Sequence, residues 1–386
     1  MFRIFALIIL TFAATWATAI PTVVNCDNGQ SLNRTLARMN KDTPATVLVR
    51  GTCTEYVKIS GFNSLTLKGQ QGATLAEPSA APDNGLSFQV LLIEASRSIT
   101  IDGLIVRPGT NTPGIGIGRN SLDVRLRNLE IDGGSPGVIV FENSQVSIAQ
   151  VTIYPTGYAA VGVYDASDVH IEDCLFENST GAYWHMGLDV SNFGHVSMHG
   201  IIIRNMQEGI TVSSGGVVAI TDFNSYYPFG GSSDVVIESP AGSNFWGVWI
   251  GNSSSLTVGS AKLVITNPGQ PWGGNSGGVF VSDGGTLNAG PNLVVSGSQG
   301  QGVFVNNNSH AGLAGSRITG SAHGGLVAAN LSSIAVGSSN PMTEISGNGT
   351  DLFCDSKSLI TGSANIANAT SVQCTNLLAG DNEVLP

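Results

Sequence analysis

The chain reads as an all-β solenoid, in which short parallel strands stack coil upon coil around a dry core. Three observations predict it. An apolar quartet, with apolar residues at one position and again two, eight and ten residues later, recurs ten times, starting at Val57, Leu91, Val138, Val161, Leu188, Ile210, Val248, Val279, Val303 and Leu326. The spacing inside the quartet is constant, whereas the step between neighbours, counting the slightly longer copy at Ile115 between Leu91 and Val138, ranges from 22 residues (Leu188 to Ile210) to 38 (Ile210 to Val248). A further apolar pair follows at a regular offset, as in Leu104 and Val106, Leu129 and Ile131, Val151 and Ile153, and Ile201 and Ile203. Apolar residues two apart form one face of a short strand. Constant strands joined by loops of variable length, repeating every 20 to 50 residues, are the signature of a stacked solenoid.

The elements follow in order. Residues 1–19 have Arg3, an apolar run from Ile4 to Phe12 and a small-residue end at Ala17-Thr18-Ala19, the pattern of a cleaved secretory signal. An exported, extracellular or periplasmic protein is therefore expected, and no later segment is apolar and long enough to span a bilayer. Residues 20–56 form an N-terminal cap, in which Leu32, Leu36 and Met39 predict a short amphipathic helix within 30–40. Coils occupy 57–362, each with three strands, and 363–386 form a C-terminal cap and tail. The copy at Ile115 has one extra residue before Val124, which reads as a bulge. Turns such as Glu142-Asn143-Ser144-Gln145 and Asp165-Ala166-Ser167-Asp168 carry side chains that tolerate a left-handed backbone.

Composition narrows the function. Charged residues are 11% of the chain, glycine numbers 50, and the net charge is −11. That balance disfavours nucleic acid and anionic membrane surfaces, which attract basic patches. Of five cysteines, Cys26 and Cys53 flank the first segment and Cys354 and Cys374 the last. Export permits disulfides, so Cys26–Cys53 and Cys354–Cys374 are the expected bonds, with Cys174 a small core residue.

The start of the mature chain, with its Gln30-Ser31 opening, the capping helix, Thr46 to Cys53 and then Ser64-Leu65-Thr66-Leu67-Lys68-Gly69, resembles that of secreted proteins of the pectate-lyase-like superfamily. The coils, such as Gly137 to Val140 followed by Gln145 to Ile148, resemble that superfamily's repeat. The resemblance covers about residues 50 to 360 and implies a right-handed, single-stranded parallel β-helix of about twelve coils. It also implies that any catalytic groups lie along the first strand of each coil and the loop before it. It does not choose an activity, because one fold carries many. Motifs of the polyuronate enzymes of this fold are absent: Asn111-Thr112 is followed by Pro113, and there is no Asp-Asp pair and no Asp-Pro-His-Asp.

The residue before strand one is glycine in seven of eight coils from Val138 to Leu326, with Ala160 the exception. One and two places further back run two ladders: Tyr158, His185 and Gln207 on the outer, Met186, Glu208 and Trp246 on the inner. Every tryptophan of the mature chain falls on this face, as Trp184, Trp246, Trp249 and Trp272, and Tyr183 and Tyr158 join them. Aromatics gathered on one face suit the apolar faces of sugar rings. Glu208, Asp189 and His185 come from two adjacent coils, where a carboxyl group beside an aromatic wall suits acid–base work. The expectation is a protein that binds or processes an extracellular polysaccharide. As a glycoside hydrolase it would use Glu208 as the acid, Asp189 or His185 as partner, and the aromatics with Gln207 as subsites. The alternative is a non-catalytic adhesin-like or structural rod. No cofactor is expected, His170 and His199 fall on a different face, and no histidine has metal-ligand spacing.

Overall fold

The computed structural model describes residues 20–378 apart from 80–88, 179–184, 222–232, 239–245, 270–275, 338–341, 356, 363, 368–371 and 375–376. Among them the chain winds through three sheets, all of parallel strands. Strand one of each coil forms a 13-stranded sheet from Val57–Ser60 to Val372–Cys374. Strand two forms a 15-stranded sheet from Thr22–Asn25 to Leu377–Leu378, and strand three a 13-stranded sheet from Thr52–Thr54 to Ala364–Ala367. Each strand pairs with its counterpart one coil away, so Val161 lies between Val138 and Leu188. A whole coil is thus the crossover that parallel pairing requires.

Burial explains the coil. In Asp168–Glu172 the alternating Val169 and Ile171 point inward and are fully buried, while Asp168, His170 and Glu172 face out. Val161, Val163, Val169, Ile171 and Phe176 fill one cross-section, and Leu188, Val190, Val196, Met198 and Ile203 the next. Each such side chain removed from water contributes about 1.5–3 kcal/mol.

The corners follow from local chemistry. Between strands one and two, consecutive residues take the left-handed conformation, as at Glu142 and Asn143 (φ 56° and 55°) and at Asp165 and Ala166 (52° and 56°). The serine that follows turns inward and accepts a backbone N–H from the coil before, as from Ser121 to Ser144 (3.3 Å) and from Ser144 to Ser167 (3.1 Å). The bulge expected at the Ile115 copy is Asp123, left-handed like Ser98 one coil earlier, and Ser98 donates to its carboxylate at 3.0 Å.

At the corner into strand one, glycine is required by proximity and not by φ. A Cβ on Gly209 would lie 2.5 Å from the Gly247 carbonyl oxygen, and one on Gly187 2.6 Å from that of Gly209. The same holds for Gly247 against Gly278 and for Gly278 against Gly302. Coils touch backbone to backbone here, which sets the register of the residues just before strand one.

The capping helix spans Leu32–Arg38. Ser31 caps it by accepting from the Arg34 N–H, and Leu32 and Leu36 are buried. Glu55 accepts from the Leu32 N–H (2.6 Å) and the Ser31 hydroxyl (2.8 Å), placing an anion at the positive helix end. Cys26 and Cys53 form a disulfide. Cys354 is disulfide-bonded, and the strand register sets it beside Cys374. Cys174 is a buried free thiol, as expected. No helix among the described residues is long and apolar enough to cross a membrane.

Candidate functional site: a carboxylate pair beside an aromatic cleft

Strand-one register builds the site from two rows. The row at the start of the strand runs Ala159, Met186, Glu208, Trp246, Gly277 and Gln301. The outward row within the strand runs Ile139, Gly162, Asp189, Thr211, Trp249, Phe280 and Phe304. Asp189 and Thr211 are therefore neighbours, and Glu208 sits on the same strand as Thr211.

Asp189 is 3% exposed, and one carboxylate oxygen accepts both the Tyr158 hydroxyl (2.9 Å) and the Tyr164 hydroxyl (2.7 Å). Gly162 admits this arrangement, since a Cβ there would fall 2.6 Å from the Tyr164 hydroxyl oxygen. Burial raises the Asp189 carboxyl above its ordinary value, and the two tyrosine hydrogen bonds pull partly the other way. Burial and the Asp189 charge push the Tyr158 hydroxyl up to about 12 and raise Tyr164 as well.

Glu208 is half-buried and accepts the Thr211 hydroxyl at 2.6 Å. Burial raises its carboxyl above the usual range, the Thr211 bond lowers it, and the nearby Asp189 charge raises it further. A carboxyl raised in this way keeps its proton to a higher pH than a free glutamic acid does, as a general acid at the edge of a cleft requires.

Next to it stands an aromatic wall. Trp246 stacks on Phe280 with ring centres 4.8 Å apart, and Phe280 stacks on Phe304 at 5.1 Å. Trp249 is half-buried and donates its indole N–H to Ser282 (3.3 Å). Trp246, Trp249, Phe280 and Ser282, with Gln207, Glu208, Asp283 and Asn307, line a cleft of about 390 Å³. A second hollow of about 490 Å³ lies further along the same face, between Phe304, His323, Val327 and Phe353.

The structure thus brings Glu208, Gln207, Trp246 and Trp249 to one cleft, with Asp189 and Tyr158 adjoining it. His185 is placed differently. It is 1% exposed, its Nδ1 is bonded to the Gly157 carbonyl oxygen, and its backbone carbonyl accepts from the Gln207 and Glu208 N–H groups. His185 therefore anchors the backbone that carries Glu208, and its ring does not reach the cleft. Trp184, Tyr183 and Trp272 lie outside the described residues. Two contributors escape the sequence reading. Tyr164 and Asp283 both sit at the turn after strand one, where polar residues are ordinary, and only the fold shows Tyr164 folding back to Asp189 and Asp283 lining the cleft.

Residues 89–225 match the family described as "Right handed beta helix region". No curated protein matches the chain in sequence. Similar solved structures include the catalytic domain of a GH87 alpha-1,3-glucanase in complex with nigerose, at 13% identity, covering 93% of this chain and 67% of that one with a TM-score of 0.46. They also include PfbA, a surface adhesin of Streptococcus pneumoniae, at 13% identity, covering 93% and 91% with a TM-score of 0.36. The tailspike protein 3 of bacteriophage CBA120 is 10% identical, with 94% and 62% covered and a TM-score of 0.43. The family match lies inside the continuous three-sheet stack, and the chain is accordingly a right-handed parallel β-helix protein of about twelve coils.

Proposed function

We propose that the chain is exported and binds a neutral or lightly charged extracellular polysaccharide on the strand-one face, cleaving it as a glycoside hydrolase with Glu208 as the acid. One observation carries this reading: Glu208, its carboxyl raised by burial and by the Asp189 charge, lines the same cleft as Trp246, Trp249 and Phe280. Such an acid protonates the oxygen of the leaving sugar while the aromatic wall holds the ring. Asp189 acts on the chemistry through Glu208, because its charge raises the Glu208 carboxyl, and the two tyrosine hydrogen bonds favour the charged form of Asp189 against the burial that raises it. Asp283, at the other end of strand one two coils along, is the cleft carboxylate available to activate water.

A non-catalytic reading is favoured by a different observation. Trp246 is only 6% exposed and packs on Phe280, so part of the wall holds the face together and leaves less area for a ligand. The two readings separate in a glycan-array and reducing-sugar screen of the mature protein with Trp249→Ala beside it. Binding with turnover, both lost in Trp249→Ala, supports the hydrolase. Binding without turnover makes the chain a carbohydrate-binding rod, and no binding to any glycan removes the proposal.

A further inference from the structure

Strand three presents an outward row unlike that of a water-facing sheet. Leu175, Ile202, Val236, Val264 and Val294 stand in register on successive coils, and all five are half-buried. The inward residues beside them are buried, so Ile201-Ile202-Ile203, Leu263-Val264-Ile265 and Leu293-Val294-Val295 are apolar on both faces. Strand two of the same coils presents His170, Ser197, Ala219, Thr257 and Asn288, which are polar or small. A parallel strand that is apolar throughout is the pattern of a sheet covered on both sides. A contiguous aliphatic strip that faces solvent marks an association surface.

The charges at its two ends indicate what covers it. The row runs from Leu175 back through Thr152 to Glu130, and from Val294 on to Arg317. Glu130 and Arg317 are both exposed. From Glu130 to Arg317 there are eight rungs. At about 4.8 Å per step the row is about 34 Å long. Turned end for end about an axis between Ile202 and Val236, the row meets its own copy with Ile202 on Val236 and Leu175 on Val264. Thr152 then falls on Val294, and Glu130 falls on Arg317 at both ends. Laid parallel without a shift, Glu130 would face Glu130 and Arg317 would face Arg317, and like charges so placed repel. Arg317 also reaches Glu344 on the next coil at 3.2 Å, but its side chain is 59% exposed. Its planar fork has N–H groups enough for a second carboxylate.

We propose that the strand-three face binds a second copy of this chain, giving an antiparallel twofold dimer centred between Ile202 and Val236. A twofold contact uses one patch on both copies, which is what a self-complementary row supplies. The strand-one sheet takes no part, so each copy keeps its cleft. The dimer therefore carries two clefts, and a polymer long enough to reach both is held by avidity.

The test is sedimentation velocity of the protein from about 1 to about 100 μM. The expected result is a monomer–dimer equilibrium that moves toward dimer as concentration rises. Val236→Asp sets two like charges beside the axis and should weaken dimerisation at least about tenfold. Thr257→Asp, at an exposed position on strand two, should leave it unchanged. Glu130→Arg and Arg317→Glu should each weaken the dimer, and the two together should restore it. That recovery cannot arise within one chain, where the positions lie about 34 Å apart. Melting curves establish that each variant is folded, and the exposed charge pair decides the matter should Val236→Asp fail to fold. A monomer at every concentration overturns the proposal. So does a dimer indifferent to Val236→Asp in folded protein, or a double charge variant that associates no better than the single ones.

Discussion

Asp189 takes two phenolic hydrogen bonds on one carboxylate oxygen, from Tyr158 one coil earlier and from Tyr164 at the turn after the same earlier strand. The three residues lock adjacent coils together at the head of the cleft. Tyr164→Phe removes one bond to a buried charge and should cost about 1.5–3 kcal/mol of stability. Urea denaturation of the two proteins measures it. A loss below the scatter of the transition would show that the hydroxyl does not support Asp189.

Asp189 and Glu208 both titrate above the ordinary values of 3.8 and 4.5 in the folded chain. Just above those values the folded state therefore holds more protons than the unfolded one. The resulting stability is present at low pH and lost as pH rises through the raised values. An Asp189→Asn, Glu208→Gln double variant should show a flatter fall in stability than the wild type as the pH rises above the ordinary carboxyl values. Melting temperatures across that range report the slope.

Gly209→Ala places a Cβ 2.5 Å from the Gly247 carbonyl oxygen and 2.7 Å from the Ile237 side chain. Overpacking of this kind costs about 1–3 kcal/mol. The variant should melt earlier and bind glycans less tightly, because Glu208 is the adjacent residue. Unchanged melting would mean that the coils can separate at this corner without penalty.

Burial pushes the Cys174 thiol up to about 12, so little thiolate forms at neutral pH. A thiol reagent should leave the native protein unmodified and label one cysteine after denaturation without reductant. Labelling of the native protein would contradict the packing of this coil.

The fold was legible because the apolar quartet states strand, turn and strand at a fixed spacing, and each coil repeats the statement. The rows of the site were legible for the same reason: once Leu188, Ile210 and Val248 are aligned, Glu208 must adjoin Trp246, and Asp189 must adjoin Thr211. Side-chain direction was not. Nothing in the spacing tells that His185 turns to Gly157 and away from the cleft, that Trp246 lies down on Phe280, or that Tyr164 reaches across to Asp189. These depend on the room left by neighbouring coils, such as that above Gly162, and such room exists only after the coils are stacked.

The most direct measurement is reducing-end release by Glu208→Gln set against the wild type, on a glycan that both proteins bind. The expected result is binding retained and release lost by at least about a hundredfold, the scale of a missing general acid. Equal release by the two proteins would contradict the assignment of Glu208 as the acid.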